Sequence, residues 1–290
     1  KKITMNGIVV CPIFDRPAFL HVWVDHIVKA TDADKMRYIF AADTGFDRRN
    51  IDILRSFPYE YAILERKTKI VGIGKQSNNV LMGLKAAYEN CDGKPIYYVE
   101  DDVFIASDFF TMGADIINAE PDVLCCILSK NVNAADTPEN DLNGYYVKVS
   151  NEYQGIGSVF NPAKFSEYII PHICTEYVTS PRDYCLRRFP RTALGAEFCE
   201  QDGLIRRIIE ANRLQVAFSC VPRCFHAGFF GYHRLTAKHV QALPLDRQIQ
   251  QVYKIAFDVE ELRKVAQAEN LVYDSMPVNL DTSHEGIKRY

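Results

Sequence analysis

Through the first hundred residues, short apolar runs rich in β-branched and aromatic side chains alternate with longer stretches whose apolar positions recur every three or four residues. Gly7 to Ile13 predicts a first strand, and the Pro12 and Pro17 turn then feeds a helix over Ala18 to Ala30 with Phe19, Val22, Trp23, His26 and Ile27 on one face. Arg37 to Ala42 predicts a second strand ending at Asp43-Thr44-Gly45, Arg49 to Phe57 a second helix, and Tyr61 to Leu64 a third strand. Asn78 to Asn90 predicts a helix with Val80, Leu81, Leu84 and Ala87 inward, and Pro95 to Val99 a fourth strand. Strands joined by crossover helices build parallel sheets, so these steps predict a doubly wound, nucleotide-binding type of half.

The remainder is more mixed. Val123 to Leu128, Tyr145 to Val149 and Leu214 to Phe218 predict strands, and Pro162 to Ile170 and Gln201 to Asn212 predict helices. A long amphipathic helix from Leu245 to Gln267 carries Ile249, Val252, Ile255, Leu262 and Val265 on one side.

Composition narrows the function classes. The chain has 290 residues with 34 basic and 37 acidic side chains, a formal charge of −3 that gives no global field for nucleic acid or anionic lipid. Nine cysteines, an odd number without a repeating interval, point to reduced thiols and hence to a cytoplasmic, microbial or viral setting. The apolar runs fall far short of the ~20 residues that span a bilayer, so no membrane span is expected. The chain starts at Lys1 rather than Met, and a trimmed upstream anchor is compatible with that expectation.

The sharpest chemical signal is Glu100-Asp101-Asp102 directly after the fourth strand, followed by Ser107-Asp108-Phe109-Phe110. Uncompensated charge is too costly to bury, so the three acids should emerge at the carboxyl edge of the sheet. Open α/β sheets bind ligands at that edge, and clustered carboxylates there suit a hard divalent ion held with substrate phosphates. The plainer alternative is a solvated turn with Ser107 or Asp108 capping the next helix, although a cap needs one acid and not three.

Taken with Asp43-Thr44-Gly45, the strand-Glu100-Asp101-Asp102 pattern resembles glycosyltransferases of the GT-A fold, whose acidic motif holds a manganese ion on a nucleotide-sugar diphosphate. The Glu-Asp-Asp form before an Asp-Phe-Phe helix is most similar to the N-acetylglucosaminyltransferase I group. Pro12 to Leu20 and Gly74 to Ala87 resemble the opening turn and the segment under the nucleotide, and the likeness covers about Gly7 to Arg234.

The resemblance implies a GT-A type, Rossmann-like mixed sheet over residues 1–235, with a donor half to about 110, an acceptor half after it, and a helical extension over 236–290. It implies a transferase that uses Mn2+ or Mg2+ and a nucleotide sugar, UDP-linked by expectation, with inversion at the sugar carbon. Asp102 and His226 are the implied metal ligands. Asp43, Asn78, Asn79, Glu100, Asp101 and Arg223 are implied on the nucleotide, and Glu200 or Asp202 as the general base that deprotonates an acceptor hydroxyl.

Each residue also has a plainer reading. Asp43 could simply form a turn, Asn78 or Asn79 could cap a helix, and acids such as Glu200 and Asp202 favour helix N-termini anyway. The Asp-Asp-Trp base segment of the closer group is missing, and Asp183 is its nearest substitute. His226 follows a strand in a loop with Gly228 and Gly231, where Arg223 and Arg234 could neutralise phosphate.

Gly155-Ile156-Gly157 resembles an acceptor-side loop, or equally a tight turn before a strand. Cys220, Cys224 and His226 have a loosely zinc-like spacing without a second pair. Gly-Ile-Gly-Lys75 lacks the residues of a phosphate-binding loop. The acceptor is open between a glycan and a hydroxylated DNA base, the latter encouraged only by seven arginines from Arg182 to Arg213. A nucleotidyltransferase and a non-catalytic sugar-nucleotide-binding relative are the rival readings.

Overall fold

The computed structural model describes residues 5–67, 74–129, 146–150, 152–219, 222–228 and 238–254. Its centre is an eight-stranded mixed sheet of order β3-β2-β1-β4-β8-β6-β9-β7. The strands are β1 (Gly7–Ile13), β2 (Met36–Ala42), β3 (Tyr61–Glu65), β4 (Ile96–Tyr98), β6 (Cys125–Ile127), β7 (Tyr146–Ser150), β8 (Ser158–Phe160) and β9 (Gln215–Ser219). The first four run parallel, while β8 lies antiparallel between β4 and β6, and β7 is antiparallel to β9. A separate ribbon pairs β5 (Val103–Ile105) with β10 (Cys224–His226).

Both faces of the sheet are covered, which is why β1 reads as a continuous apolar run. Val9, Cys11 and Ile13 pack on one side with α1 (Pro17–Ile27), α2 (Arg49–Leu54) and α4 (Phe109–Ala119), and Ile8 and Val10 on the other with α3 (Gly74–Asn90) and the helix Gln201–Asn212. Val80, Leu81, Leu84 and Ala87 of α3 face that second core, as their spacing predicts. Pro12 sits inside β1 without breaking the sheet because pairing with β4 ends at Val10↔Tyr98, so its missing N–H falls where no neighbour needs it.

Several boundaries move. Helix α3 starts at Gly74 and not at Asn78, so neither Asn78 nor Asn79 is its cap. Short polar helices at Thr175–Thr179 and Pro181–Arg188, and the three-residue strands β5 and β10, carry too little periodicity to be read from the sequence. The C-terminal helix is described over 245–254, and the rest of the stretch to Gln267 lies outside the described residues. Val240 and Val252 join the core under α1.

The eight cysteines among the described residues are free, and seven of them are buried. Among those residues no helix is long and apolar enough to cross a membrane.

Candidate active site

In the order β3-β2-β1-β4 the chain reverses its direction of sheet growth at β1, and the carboxyl ends of β1 and β4 open the crevice where such sheets bind ligands. Arg16, following β1, reaches across it to Asp101 and Asp102, following β4. The expectation that charge there is too costly to bury is therefore corrected. They lie at the sheet edge, but Asp101 and Asp102 are each only 2% exposed, and the compensation that makes burial tolerable is the Arg16 guanidinium.

The β5–β10 ribbon completes the cluster. His226 pairs with Val103, the residue after Asp102, and the Ala227 amide donates to the Asp102 carbonyl at 2.8 Å. His226 Nε2 then lies 3.2 Å from Asp102 Oδ2. Glu100, held by the Tyr98 hydroxyl, brings a carboxylate into the same place. Ligand atoms of Glu100, Asp102 and His226 all fall within 4.8 Å of one another.

Burial and the neighbouring acids lift the Asp101 carboxyl to about 7, with Arg16 opposing. Burial also raises Glu100, helped by Asp102. For Asp102 burial acts upward as well, but Arg16 and His226 outweigh it and hold the group at about 2, ionised. His226 is raised mainly by its hydrogen bond to Asp102, against the effect of burial.

Replacing Arg16 by Met should leave two buried carboxylates without their cation, and losing one partner of such a group costs about 3–5 kcal/mol. Urea unfolding in chelator should show a loss of that size, partly restored by Mn2+. A change below about 1 kcal/mol would mean that the acids are compensated in another way.

Two observations test whether this cluster fits a cation. Asp102 Oδ1 is a buried carboxylate oxygen with no hydrogen-bond partner, although buried polar atoms are almost always satisfied. Gly228 lies against the same group, where a Cβ would press into Asp102 Oδ2 and come within 2.9 Å of His226 Nε2. Two carboxylates, an imidazole, an open oxygen and a side-chain-free approach fit a divalent ion.

Of the remaining acids singled out in the sequence, Glu200 precedes the helix Gln201–Asn212 and is exposed, without a side-chain bond to the helix. Asp202, in the first turn, receives a hydrogen bond from the Gly155 backbone. A Cβ at Gly155 would stand 2.5 Å from Asp202 Oδ1, so glycine here admits the carboxylate. Local desolvation, with Glu100 and Glu200 nearby, raises Asp202 to about 7, while its contact with solvent screens the effect. Asp183 is exposed on the helix Pro181–Arg188.

At the end of β2 Asp43, 5% exposed, pairs with Arg66, lies 3.7 Å from Lys75 Nζ, and accepts from the Thr44 amide at 2.6 Å. Lys75 also stands 4.0 Å over the Phe14 ring. Asn79 Nδ2 donates to the Ala41 carbonyl at 2.8 Å, fastening α3 to β2, and Asn78 is buried beside it. Arg223 is turned inward, 1% exposed, with Nε 3.0 Å from Asp108 Oδ2. Asp108 thus serves that ion pair and does not cap α4 with its side chain. Arg234 and Cys220 lie outside the described residues, and Cys224 packs against Gly157.

Sequence reasoning missed Arg16, although Asp15-Arg16-Pro17 directly after a buried strand was an available signal. It also missed Arg66, and Arg207, a wholly buried residue whose guanidinium holds the Thr192 hydroxyl and the carbonyls of Leu194, Gly195 and Phe198. Those partners are scattered along an irregular loop, which leaves no pattern to read.

No protein-family model matches the chain. No curated protein matches it either. Among solved structures it is similar to S. aureus TarS 1-349 in complex with UDP-GlcNAc, at 14% identity and a TM-score of 0.50 over 80% of this chain and 61% of that one. It therefore spans under two thirds of the TarS fragment. Looser likenesses are to the galactosyltransferase LgtC with donor and acceptor sugar analogues, at 11% identity and TM-score 0.44 over 73% of this chain and 72% of that one. Another is to the mannosyltransferase PcManGT from Pyrobaculum calidifontis with GDP-Man and Mn2+, at 14% and 0.42 over 91% and 75%. At such identities the likeness is one of architecture: the chain has the GT-A glycosyltransferase fold.

Proposed function

We propose that this protein is a divalent-ion-dependent glycosyltransferase that moves a sugar from a nucleotide donor, UDP-linked, to a hydroxyl acceptor with inversion at the sugar carbon. The observation that carries the reading is the Glu100, Asp102 and His226 cluster at the sheet's switch point, with its unpartnered Asp102 oxygen. Within the fold, the Glu100-Asp101-Asp102 form resembles the N-acetylglucosaminyltransferase I group.

Asp102, His226 and Glu100 would hold Mn2+ or Mg2+. When bound, the ion neutralises charge developing on the leaving diphosphate. Arg16 pairs with Asp101 and Asp102, helps to hold Asp102 ionised and adds a second positive charge at the crevice. Asp43 accepts from a base N–H or a ribose hydroxyl, with Asn78 beside it. Asp202, aimed by the Gly155 backbone, takes the proton of the acceptor hydroxyl as that oxygen bonds to the sugar carbon and the bond to the diphosphate breaks. Glu200 is the alternative base and Asp183 the third choice.

A glycan hydroxyl is the favoured acceptor. Of the arginines that could suggest DNA, Arg207 is buried, while Arg187 pairs with Glu176 and Arg206 lies 3.5 Å from Glu152. A thermal-shift panel of UDP-, GDP-, CDP- and ADP-sugars with Mn2+ tests the donor class. Stabilisation should be greatest with the UDP-sugars, and stabilisation by none of them would sink the reading.

A further inference from the structure

The helix Gln201–Asn212 begins in an unusual way. A helix leaves its first N–H groups unsatisfied, and a short Ser, Thr, Asp or Asn side chain at the capping position ordinarily serves those of its second and third residues. Glu200 occupies the capping position with extended backbone, yet its side chain makes no capping bond. The Gln201 N–H, the first of the helix, is taken by the hydroxyl of Ser77, 124 residues away in α3, at 3.0 Å, and that hydroxyl donates back to Gln201 Oε1, also at 3.0 Å. Ser77 is wholly buried and Gln201 is 6% exposed.

The same point is pinned on its other side. Tyr177, fully buried, donates through its hydroxyl to the Cys199 carbonyl at 2.9 Å, and that hydroxyl also meets Ser77. The backbone is thus fixed at residue 199 and at residue 201. Between them stands Glu200 and immediately after them Asp202, the two carboxylates assigned above to proton transfer.

We propose that Ser77, backed by Tyr177, is a positioning residue for this carboxylate pair: by holding the first N–H of the helix from α3 it fixes the direction in which Glu200 and Asp202 leave the backbone. The helix that carries Ser77 also carries Lys75, Asn78 and Asn79 along the donor side. Ser77 therefore ties the acceptor-activating groups to the donor-binding element by direct hydrogen bonds. A buried hydroxyl exchanging two bonds across so long a stretch of chain holds position tightly, because losing either bond strands a buried polar group.

The inference rests on the base assignment under Proposed function, and its test separates the two. Steady-state release of UDP from UDP-sugar with Mn2+ is measured with methyl β-glycosides of glucose, galactose and N-acetylglucosamine as acceptors. Ser77→Ala should lower kcat by about 10- to 100-fold, the cost of a small misplacement of a catalytic group, with donor KM within about twofold of wild type. Ser77→Thr, which keeps the hydroxyl, should recover most of that loss.

Wild-type kcat in Ser77→Ala, or a joint loss of kcat and donor affinity that Thr does not rescue, would overturn the proposal. If Ser77→Ala does not fold, Tyr177→Phe, which removes one oxygen, is judged by the same split. Full turnover in both Glu200→Gln and Asp202→Asn would remove the base assignment and this inference with it. An inactive amide variant beside a fully active Ser77→Ala would remove this inference alone.

Discussion

Replacing Asp102 by Ala is expected to abolish the Mn2+-dependent part of UDP binding, with a loss of affinity beyond the ~10- to 100-fold that removing an outer-shell partner costs a metal site. Asp102 lies at the centre of the cluster: one carboxylate oxygen meets Arg16 and His226, and the other is buried with no partner. A group held ionised at about 2 remains a ligand across the whole neutral range. Calorimetry should show that wild-type protein in chelator and the Asp102→Ala variant with Mn2+ bind UDP comparably weakly. Equal affinity in all three conditions would remove the metal from the site.

The second large effect is at Asp202. Asp202→Asn should reduce turnover by ~10²- to 10⁴-fold with donor affinity nearly unchanged, because a general base acts on the acceptor only in the transition state. Its carboxyl is raised above the ordinary carboxylate range, by an amount that solvent contact limits, and a base works deprotonated, so wild-type turnover should climb with pH as that carboxyl ionises and then level off. The stability dependence has the opposite sign. A carboxylate raised in the folded state binds its proton more tightly there than in the unfolded chain, so ionising it weakens the fold slightly as pH rises above the ordinary carboxylate range, the exposure of the side chain keeping the effect small. Asp202→Asn should therefore be at least as stable as wild type at pH 8 while being far less active. Near wild-type turnover in this variant would move the base to Glu200, or failing that to Asp183.

The first half of the fold is legible because strands buried on both faces leave uninterrupted apolar runs, and α3 shows its core face at helical spacing. The ribbon that carries His226 is not legible, since three residues per strand give no alternation to count. At the site, sequence alone locates Glu100-Asp101-Asp102 at a strand end. It does not show that they are buried, because their counter-charge Arg16 lies 85 residues earlier than Asp101. The closeness of Gly155 to Asp202 and the Ser77–Gln201 bond are likewise contacts between distant segments. Asn79 illustrates the converse: a polar residue that reads as a ligand or a cap is engaged in tying a helix to the sheet. Arg223 reads as a phosphate ligand and lies in a buried pair with Asp108.

The central claim is glycosyl transfer through a divalent ion at the Glu100, Asp102 and His226 cluster, and analysing the products of a UDP-sugar incubation tests it most directly. With Mn2+ and a methyl glycoside acceptor, mass spectrometry should find UDP together with an acceptor heavier by one sugar, and EDTA should suppress both. Release of UMP, transfer of a nucleotidyl group, or no turnover of any donor despite saturated binding would contradict the account.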